Sequence, residues 1–460
     1  MMSGELTIRQ GRVIDAASRL DKVCDILAEG GRIAAIGDSV KIKGREINAA
    51  GKLVLPGLID THVHFAENTR GYYMLTRAGV TTAIDLLGES RLFFKSFSKS
   101  HVGLNAAYLY PLLPERTVSS SNPSLNEITR VVDNALKAGA IGIKIVGGHY
   151  PLTPEATALA IEACAGRKCW CAVHAGSTES GSDLNGFKEL IQLAGSNPVH
   201  IAHVNSYCRG EVLGDPVAEA VAALSILRKH DSYIAESYLS AINGCSGRLE
   251  TSGKPASKVT AKCLEKGGYK ADAAGIREAI SAGWAQVNGL SGKEVVLLDR
   301  EKGLKYFNKS HGKVMLSFPV NSAAAQIAIA LDRKESGEFT VPALSTDGGN
   351  IPRNCTLQKG LALVRFGALS MHEFILKACW NPAIMLGIQD YKGSISCGKD
   401  ADLIIVNPEN AEVEIVISSG RISFEHGVFY ENENTLLAGS GPEVTEGISW
   451  REISPLWLRQ

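Results

Sequence analysis

Two histidines separated by one residue give the first sign of chemistry in this sequence. His62 and His64 lie in the segment GLIDTHVHF, whose apolar run predicts a β-strand. Side chains on a strand alternate between its two faces, so both imidazoles project to the same side and are able to bind one cation. Two histidines on one strand face are equally compatible with ordinary hydrogen bonds, so this pair alone leaves both interpretations open.

Four other polar residues lie where later apolar runs end. They are Lys144 in IGIKIVGG, His174 in CWCAVHAG, His203 in VHIAHVNSY and Asp347 in VPALSTDGG. Barrel enzymes place their catalytic side chains at the carboxyl ends of parallel strands. Taken alone, Asp347 is also compatible with a turn before two glycines. A buried lysine needs a partner or a modification, because removing an ammonium group from water is costly. Six such positions in register predict a metal centre.

The elements that must position these residues form a repeated pattern. Eight apolar runs alternate with helical segments from residue 53 onward, which is typical of βα units around a parallel sheet. The runs are LVLPGLIDTHVHF, VTTAIDLL, LNAAYLYPLL, IGIKIVGG, CWCAVHAG, VHIAHVNSY, SYIAESYLS and VPALSTDGG. Thr153 and Pro154 have the residue types of a helix N-cap and first helical position. We therefore predict an α/β fold, a (β/α)8 TIM barrel, over residues 55–389.

Three further parts are expected around the barrel. The stretch between the seventh and eighth runs is too long for a simple loop, so residues 241–320 are predicted to form an inserted subdomain over the barrel mouth. Short β-branched runs near both chain ends predict a small β-sandwich domain formed from residues 1–54 and 390–435. Residues 436–460 are expected to form a C-terminal tail docked on a surface.

The overall composition narrows the choice of partners. The 48 basic residues balance 48 acidic residues, which gives no electrostatic basis for binding nucleic acid or an anionic membrane. We find no apolar run of membrane-spanning length and no signal-peptide pattern. The ten cysteines are scattered, and Cys169 and Cys171 fit a buried strand better than a zinc knuckle. We expect a cytoplasmic protein that acts on a small molecule.

The order of the six residues along the strands resembles the two-metal subtype of the amidohydrolase superfamily. The closing segment NPAIMLGIQDYKGSISCGKDADLIIV also resembles that superfamily, so the resemblance covers nearly the whole chain. It implies one divalent metal ion bound by His62, His64 and Asp347. It implies a second bound by His174 and His203, with carboxylated Lys144 bridging both ions. Zinc is the default, and manganese, iron or cobalt would accept the same ligands. A homo-oligomer is also implied.

The same resemblance implies hydrolysis of an amide-type C–N bond. Two cations about 3.5 to 4 Å apart would lower the pKa of a bridging water and polarise a carbonyl. Asp347 would then act as general base and as general acid. The lysine and the segment GVTTAIDLL resemble the cyclic amide and ureide hydrolases, such as hydantoinase, dihydroorotase and allantoinase.

Other functions stay open. The insertion and the segment ESYLSAINGCSG resemble the D-aminoacylases, which makes deacylation of N-acyl-D-amino acids the alternative, although that group does not use lysine as its metal bridge. A single-metal deaminase is a further alternative. Such an enzyme needs a glutamate near the histidine of the sixth strand, and Glu211 lies at some distance from His203. The remaining alternative is a non-catalytic scaffold that binds metal, although relatives of that kind typically lose metal ligands.

Substrate contacts are predicted in the loops that follow the ligands. Hydantoinase-like members use a tyrosine shortly after the bridging lysine to stabilise the oxyanion, and Tyr150 or the neighbouring His149 occupies that place here. Asn205 and Arg353 have side chains that could bind a carbonyl or carboxylate of the substrate. For both of these, a local cap or a solvated loop is equally compatible with the sequence.

Overall fold

A computed structural model describes residues 5–439, 441–443 and 447–458, and a parallel barrel lies at its centre. The eight barrel strands, numbered first to eighth in chain order, are Leu58–His64, Val80–Asp85, Asn105–Leu112, Gly142–Ile145, Trp170–Val173, Val199–Ile201, Tyr233–Tyr238 and Ala343–Ser345. Each strand pairs in parallel with the next, and Gly348–Gly349 pairs in parallel with Val63 and His64 of the first strand. The predicted (β/α)8 barrel is confirmed.

The first predicted run contains two strands that belong to different sheets. Leu53–Pro56 pairs with strands near the chain ends, and the first barrel strand begins only after Gly57. A Cβ on Gly57 would lie 2.2 Å from the Oγ1 atom of Thr81 on the second barrel strand, so this crossing requires glycine. The apolar run does not reveal the boundary because both strands are buried on both faces.

One helix follows each barrel strand and covers the outside of the barrel. These helices are Arg70–Arg77, Ser90–Phe97, Leu125–Lys137, Pro154–Arg167, Leu184–Ala194, Pro216–Leu227, Ala323–Leu331 and Thr356–Arg365. The predicted cap is present, since the Thr153 hydroxyl accepts a hydrogen bond from the Ala156 N–H at 3.2 Å. The helical segments Met371–Ile375, Leu376–Trp380 and Asn381–Leu386 follow. Of the helices in the described residues, none has the length and apolar character needed to cross a membrane.

Strands from both chain ends form a second, nine-stranded sheet. They are Leu6–Asp15, Leu20–Glu29, Arg32–Gly37, Arg45–Asn48, Leu53–Pro56, Leu403–Val406, Val413–Ser418, Arg421–Glu425 and Val428–Phe429. Ile33 also exchanges backbone hydrogen bonds of 2.8 Å with Gly398 and Lys399, in the segment before Leu403–Val406. Ile8, Ile26 and Leu403 lie in the core that this sheet encloses. This confirms a β domain built from both ends, whose predicted residues 1–4 lie outside the described part of the chain.

The predicted insertion is a small domain between the seventh and eighth barrel strands. Its strands are Asn243–Ser246, Gln286–Ser291, Glu294–Leu297 and Met315–Phe318, and its helices are Lys258–Lys266, Ala273–Ala282 and Arg300–Lys309. It has its own apolar core, which includes Leu264, Ile276 and Phe307. The insertion therefore packs around a core of its own.

The predicted tail contributes a strand to the barrel sheet. Thr435–Ala438 pairs in parallel with the third barrel strand and with Trp450–Glu452. Its apolar side chains Leu436 and Leu437 are buried, which ties this part of the chain to the barrel. Residues 440, 444–446 and 459–460 of the predicted tail lie outside the described residues.

Candidate metal centre

Three of the predicted ligands meet where the eighth strand returns to the first. The Asp347 Oδ1 atom lies 2.9 Å from His64 Nε2 and 3.4 Å from His62 Nε2. The Asp347 N–H donates to the His62 carbonyl at 2.9 Å, and its φ of 50° turns the side chain out of the strand direction. One ligand atom from each of the three residues lies within 4.8 Å of the others, which is close enough to hold a single metal ion.

His174 and His203 lie directly beside this group. The centroids of their rings are 4.5 Å apart, and the His203 ring stacks on His62 at 4.9 Å. His203 follows the sixth strand with a φ of 34°, so it also leaves its strand in the left-handed conformation. The His174 Nε2 atom lies 2.5 Å from the Ser182 hydroxyl. The structure thus brings the two predicted ligand groups together.

Lys144 is buried at the same end of the barrel without a hydrogen-bond partner. Its Nζ atom has no partner among the described residues, and the residue is 2% exposed. Burial lowers the pKa of Lys144 to about 8, against the opposing effect of the charges of Glu236 and Asp347. His64 Nδ1 and His203 Nδ1 are also buried and unpaired. Buried polar groups are ordinarily hydrogen-bonded, so three nitrogens without a partner among the described residues fit a modified lysine and bound metal.

The electrostatics keep His62, His174 and His203 neutral and Asp347 ionised. Burial is the largest cause that lowers the pKa of His62, His174 and His203 well below its ordinary value. Neutral imidazole is the form that binds metal. Burial opposes ionisation of Asp347, but the charge of Arg353 holds its pKa well below the usual range.

Arg353 is bound to Asp347 by two atoms. Its Nη2 atom lies 2.5 Å from Asp347 Oδ2, and its Nε–H donates to the Asp347 carbonyl at 2.6 Å. A third bond runs from Nη1 to the Ile242 carbonyl at 3.2 Å, and the guanidinium carbon lies 5.0 Å from the centre of the Tyr238 ring. The structure therefore places Arg353 where it orients and ionises Asp347, a contact that sequence reasoning missed.

Glu236 on the seventh strand is a second partner that sequence reasoning missed. Its Oε1 atom lies 2.6 Å from His62 Nδ1 and accepts the His203 N–H at 2.7 Å, while the Ser345 hydroxyl donates to Oε2. A proton on His62 Nδ1 would leave Nε2 free to face Asp347, which is the tautomer that a ligand requires. The signal was available, because Glu236 interrupts the apolar run SYIAESYLS just as Lys144 interrupts IGIKIVGG.

A cavity of about 800 Å³ opens from these residues toward the insertion. Tyr150 lines it and is 43% exposed, and the ring of His149 lies 5.1 Å from that of His174. Arg353 also lines the cavity, whereas Asn205 is buried and is not one of the lining residues. The Asn205 Oδ1 atom accepts the Tyr238 N–H at 3.0 Å, which holds the loop after the sixth strand against the seventh.

A sequence model of the Amidohydrolase family matches residues 53–423. The chain belongs to the Amidohydrolase family. A segment of 63 residues is 49% identical to the dihydroorotase of Streptococcus pneumoniae serotype 4, covering 14% of this chain and 15% of that protein. The matched segments of this relative and of the next ones span 15% to 20% of their lengths.

Two solved structures of similar fold cover nearly the whole amidohydrolase chain. The N-acyl-D-glutamate deacylase of Bordetella bronchiseptica, complexed with zinc and a phosphonate inhibitor, has a TM-score of 0.66 at 15% identity, with 94% of this chain and 98% of that chain covered. The D-hydantoinase of Thermus sp. has a TM-score of 0.57 at 16% identity, with 94% and 98% covered. At these identities, the two comparisons show a common fold.

Proposed function

We propose that this amidohydrolase hydrolyses a C–N bond of a cyclic amide or ureide with the help of two divalent metal ions, zinc first among them. The observation that carries the proposal is the arrangement of six residues around one cavity. His62, His64, Lys144, His174, His203 and Asp347 come from five different strands, and the amine of Lys144 has no partner among the described residues. Such convergence at the carboxyl ends of barrel strands is characteristic of an active site.

The proposed ligands divide into two groups, which a carboxylated Lys144 would bridge. His62, His64 and Asp347 would hold one ion, His174 and His203 the other, and a carboxylated Lys144 both. Carboxylation needs the neutral amine, which burial favours: the amine nitrogen forms a bond to carbon dioxide and loses a proton, leaving a carbamate anion. Bound ions would polarise the substrate carbonyl and lower the pKa of the attacking water.

Side chains of the protein would take the proton from the attacking water and pass it to the leaving nitrogen. Asp347 is ionised beside Arg353, which pairs with its Oδ2 atom, and its carboxylate would take a proton from the attacking water. It would return that proton to the leaving nitrogen as the C–N bond breaks, so that the ring opens with the gain of one water. Tyr150, which lines the same cavity, would donate a hydrogen bond to the developing oxyanion.

A second candidate, hydrolysis of N-acyl-D-amino acids, is favoured by the insertion. Residues 243–246, 256–259 and 262–263 of that subdomain line the cavity, so the insertion extends the surface that a substrate can contact. Cyclic substrates are nevertheless proposed first because of Lys144, since the D-aminoacylases do not use lysine as their metal bridge.

The unpaired state of all ten cysteines supports a further part of the proposal, a reducing compartment such as the cytoplasm. A homo-oligomeric state is also part of the proposal.

Mass spectrometry of a mixed substrate panel tests the proposal. Zinc-loaded protein is incubated with hydantoins, dihydropyrimidines, lactams and N-acyl-D-amino acids, next to the Asp347→Asn variant as control. A ring that gains one water with the wild type alone would support cyclic amide hydrolysis, and cleavage into an acid and an amine would support the second candidate. A panel left unchanged by the wild type would count against both.

A further inference from the structure

Arg209 lines the cavity but takes no part in the candidate metal centre. It lies in the loop after the sixth strand, and its Nε–H donates to Asn321 Oδ1 at 3.0 Å while Nη2 donates to Asn243 Oδ1 at 3.2 Å. Both partners are neutral amides, and Arg209 forms no ion pair with a carboxylate within the described part of the chain. The charge of Glu211 acts on Arg209, but Glu211 pairs directly with Lys262, so a half-buried guanidinium held only by neutral groups remains free to bind an anion.

A second cation lies beside Arg209. The Lys266 ammonium donates to the Arg209 carbonyl at 2.8 Å. The neighbouring Lys262 is different, since it pairs with Glu211 at 3.2 Å. Two adjacent positive charges that disfavour each other form a local positive potential on the cavity wall, which an anion would relieve.

The guanidinium is held in place before any ligand arrives. The Asn321 side-chain amide, which accepts from Arg209, itself donates to the Tyr238 hydroxyl at 3.2 Å and to the Ser240 carbonyl at 3.1 Å. The two bonds from Arg209 to asparagines leave further N–H donors of the five on a guanidinium. A fixed planar fork of this kind suits bidentate binding of a carboxylate.

Tyr238 connects this corner of the cavity to the metal centre. Its ring centroid lies 6.2 Å from that of His203. Arg209 lines the same cavity as the candidate ligands His174 and His203. A short molecule could therefore reach both places at once.

We propose that Arg209 and Lys266 form an anion subsite that binds a carboxylate of the substrate at the end remote from the scissile C–N bond. The substrate class would then be a carboxylate-bearing cyclic amide or ureide. The claim that the bound anion belongs to a substrate rests on the proposed function. Arg353 does not serve this role, since Asp347 occupies its guanidinium.

Calorimetry with molecules that cannot be hydrolysed tests the subsite separately from catalysis. Succinate, glutarate and adipate are titrated into the zinc-loaded full chain and compared with the monocarboxylates of equal length, butanoate, pentanoate and hexanoate. Each pair offers one carboxylate to the metal centre, but only the diacid offers a second. We expect at least one diacid to bind about tenfold or more tightly than the monocarboxylate of equal length, because one charged hydrogen bond contributes about that much.

Three variants test which residues cause the preference for the diacid. Arg209→Gln and the exposed Lys266→Gln should each reduce it, Arg209→Gln to about equal binding. Arg277→Gln is the matched control, because Arg277 lies on another helix of the insertion and packs on Phe307 at 6.0 Å. Equal binding of diacid and monoacid by the wild type, or a preference that survives both Arg209→Gln and Lys266→Gln, would overturn the subsite. An unchanged substrate panel together with an Arg209-dependent preference would reject the hydrolase and keep the subsite.

Discussion

Replacing Glu236 by glutamine should weaken metal binding without removing any proposed ligand. The Glu236 carboxylate receives three donors: His62 Nδ1 at 2.6 Å, the His203 N–H at 2.7 Å and the Ser345 hydroxyl. Glutamine keeps the size and one acceptor oxygen but loses the charge, and charge-assisted hydrogen bonds are about twice as strong as neutral ones. His62 would then be a weaker and less firmly oriented ligand.

The expected size follows from the position of Glu236 behind His62. Loss of a carboxylate that supports a metal-bound histidine costs about 10-fold to 100-fold in metal affinity, which corresponds to about 1.4 to 2.8 kcal/mol. Zinc content is measured by plasma mass spectrometry after dialysis against chelator-buffered zinc at graded free concentrations. The midpoint gives the affinity of each variant.

Glu219→Gln is the matched control for this experiment. Glu219 is also a fully buried glutamate, but it accepts three backbone N–H groups, from Gly210, Val212 and Leu213, at 2.6 to 2.9 Å and no histidine. This variant should lower thermal stability and leave the zinc affinity unchanged. Wild-type zinc affinity in Glu236→Gln, or an equal loss in Glu219→Gln, would refute the role given to Glu236.

Three further outcomes are expected. Lys144→Ala should keep the fold by circular dichroism but bind fewer zinc equivalents and lose turnover, whereas near-normal turnover without added carboxylic acid would reject the bridging role. Asp347→Asn should keep at least one metal ion and lose about 10²-fold to 10⁴-fold in turnover, and normal turnover would place the general base elsewhere. Burial lowers the pKa of Lys377 from 10.5 to about 7. Above pH 7 the native chain therefore binds fewer protons than the unfolded chain, so the free energy of unfolding should rise with pH, by up to about 1.4 kcal/mol per pH unit. Urea unfolding at pH 7, 8 and 9 should show this rise in the wild type and a flatter profile in Lys377→Met, and equal slopes would contradict it.

The barrel could be predicted because its signals are local. Each strand is a short apolar run, and a charged or imidazole residue such as Lys144 or His174 stands out where the run ends. Strand alternation then places His62 and His64 on one face. The division of the first run at Gly57 could not be predicted in this way, because both of its halves are buried and apolar.

The contacts between distant segments could not be predicted from spacing. Glu236 meets His62 across 174 positions of sequence, and Asn321 meets Arg209 across 112. The sequence predicted that Arg353 lies near the site, because its loop follows Asp347. Its pairing with Asp347 could not be predicted, since it depends on the φ of 50° at Asp347, where the chain turns out of the strand direction. Such geometry belongs to tertiary packing, which no single-sequence pattern encodes.

A zinc titration of the chelator-stripped chain, followed by the hydrolysis rate of the substrate that gains water in the panel, tests the central claim most directly. We expect no turnover without metal and a rate that depends on added zinc until both ligand groups, on either side of Lys144, are filled. Full turnover by the stripped chain, with metal content verified by plasma mass spectrometry, would contradict a metal-dependent hydrolase.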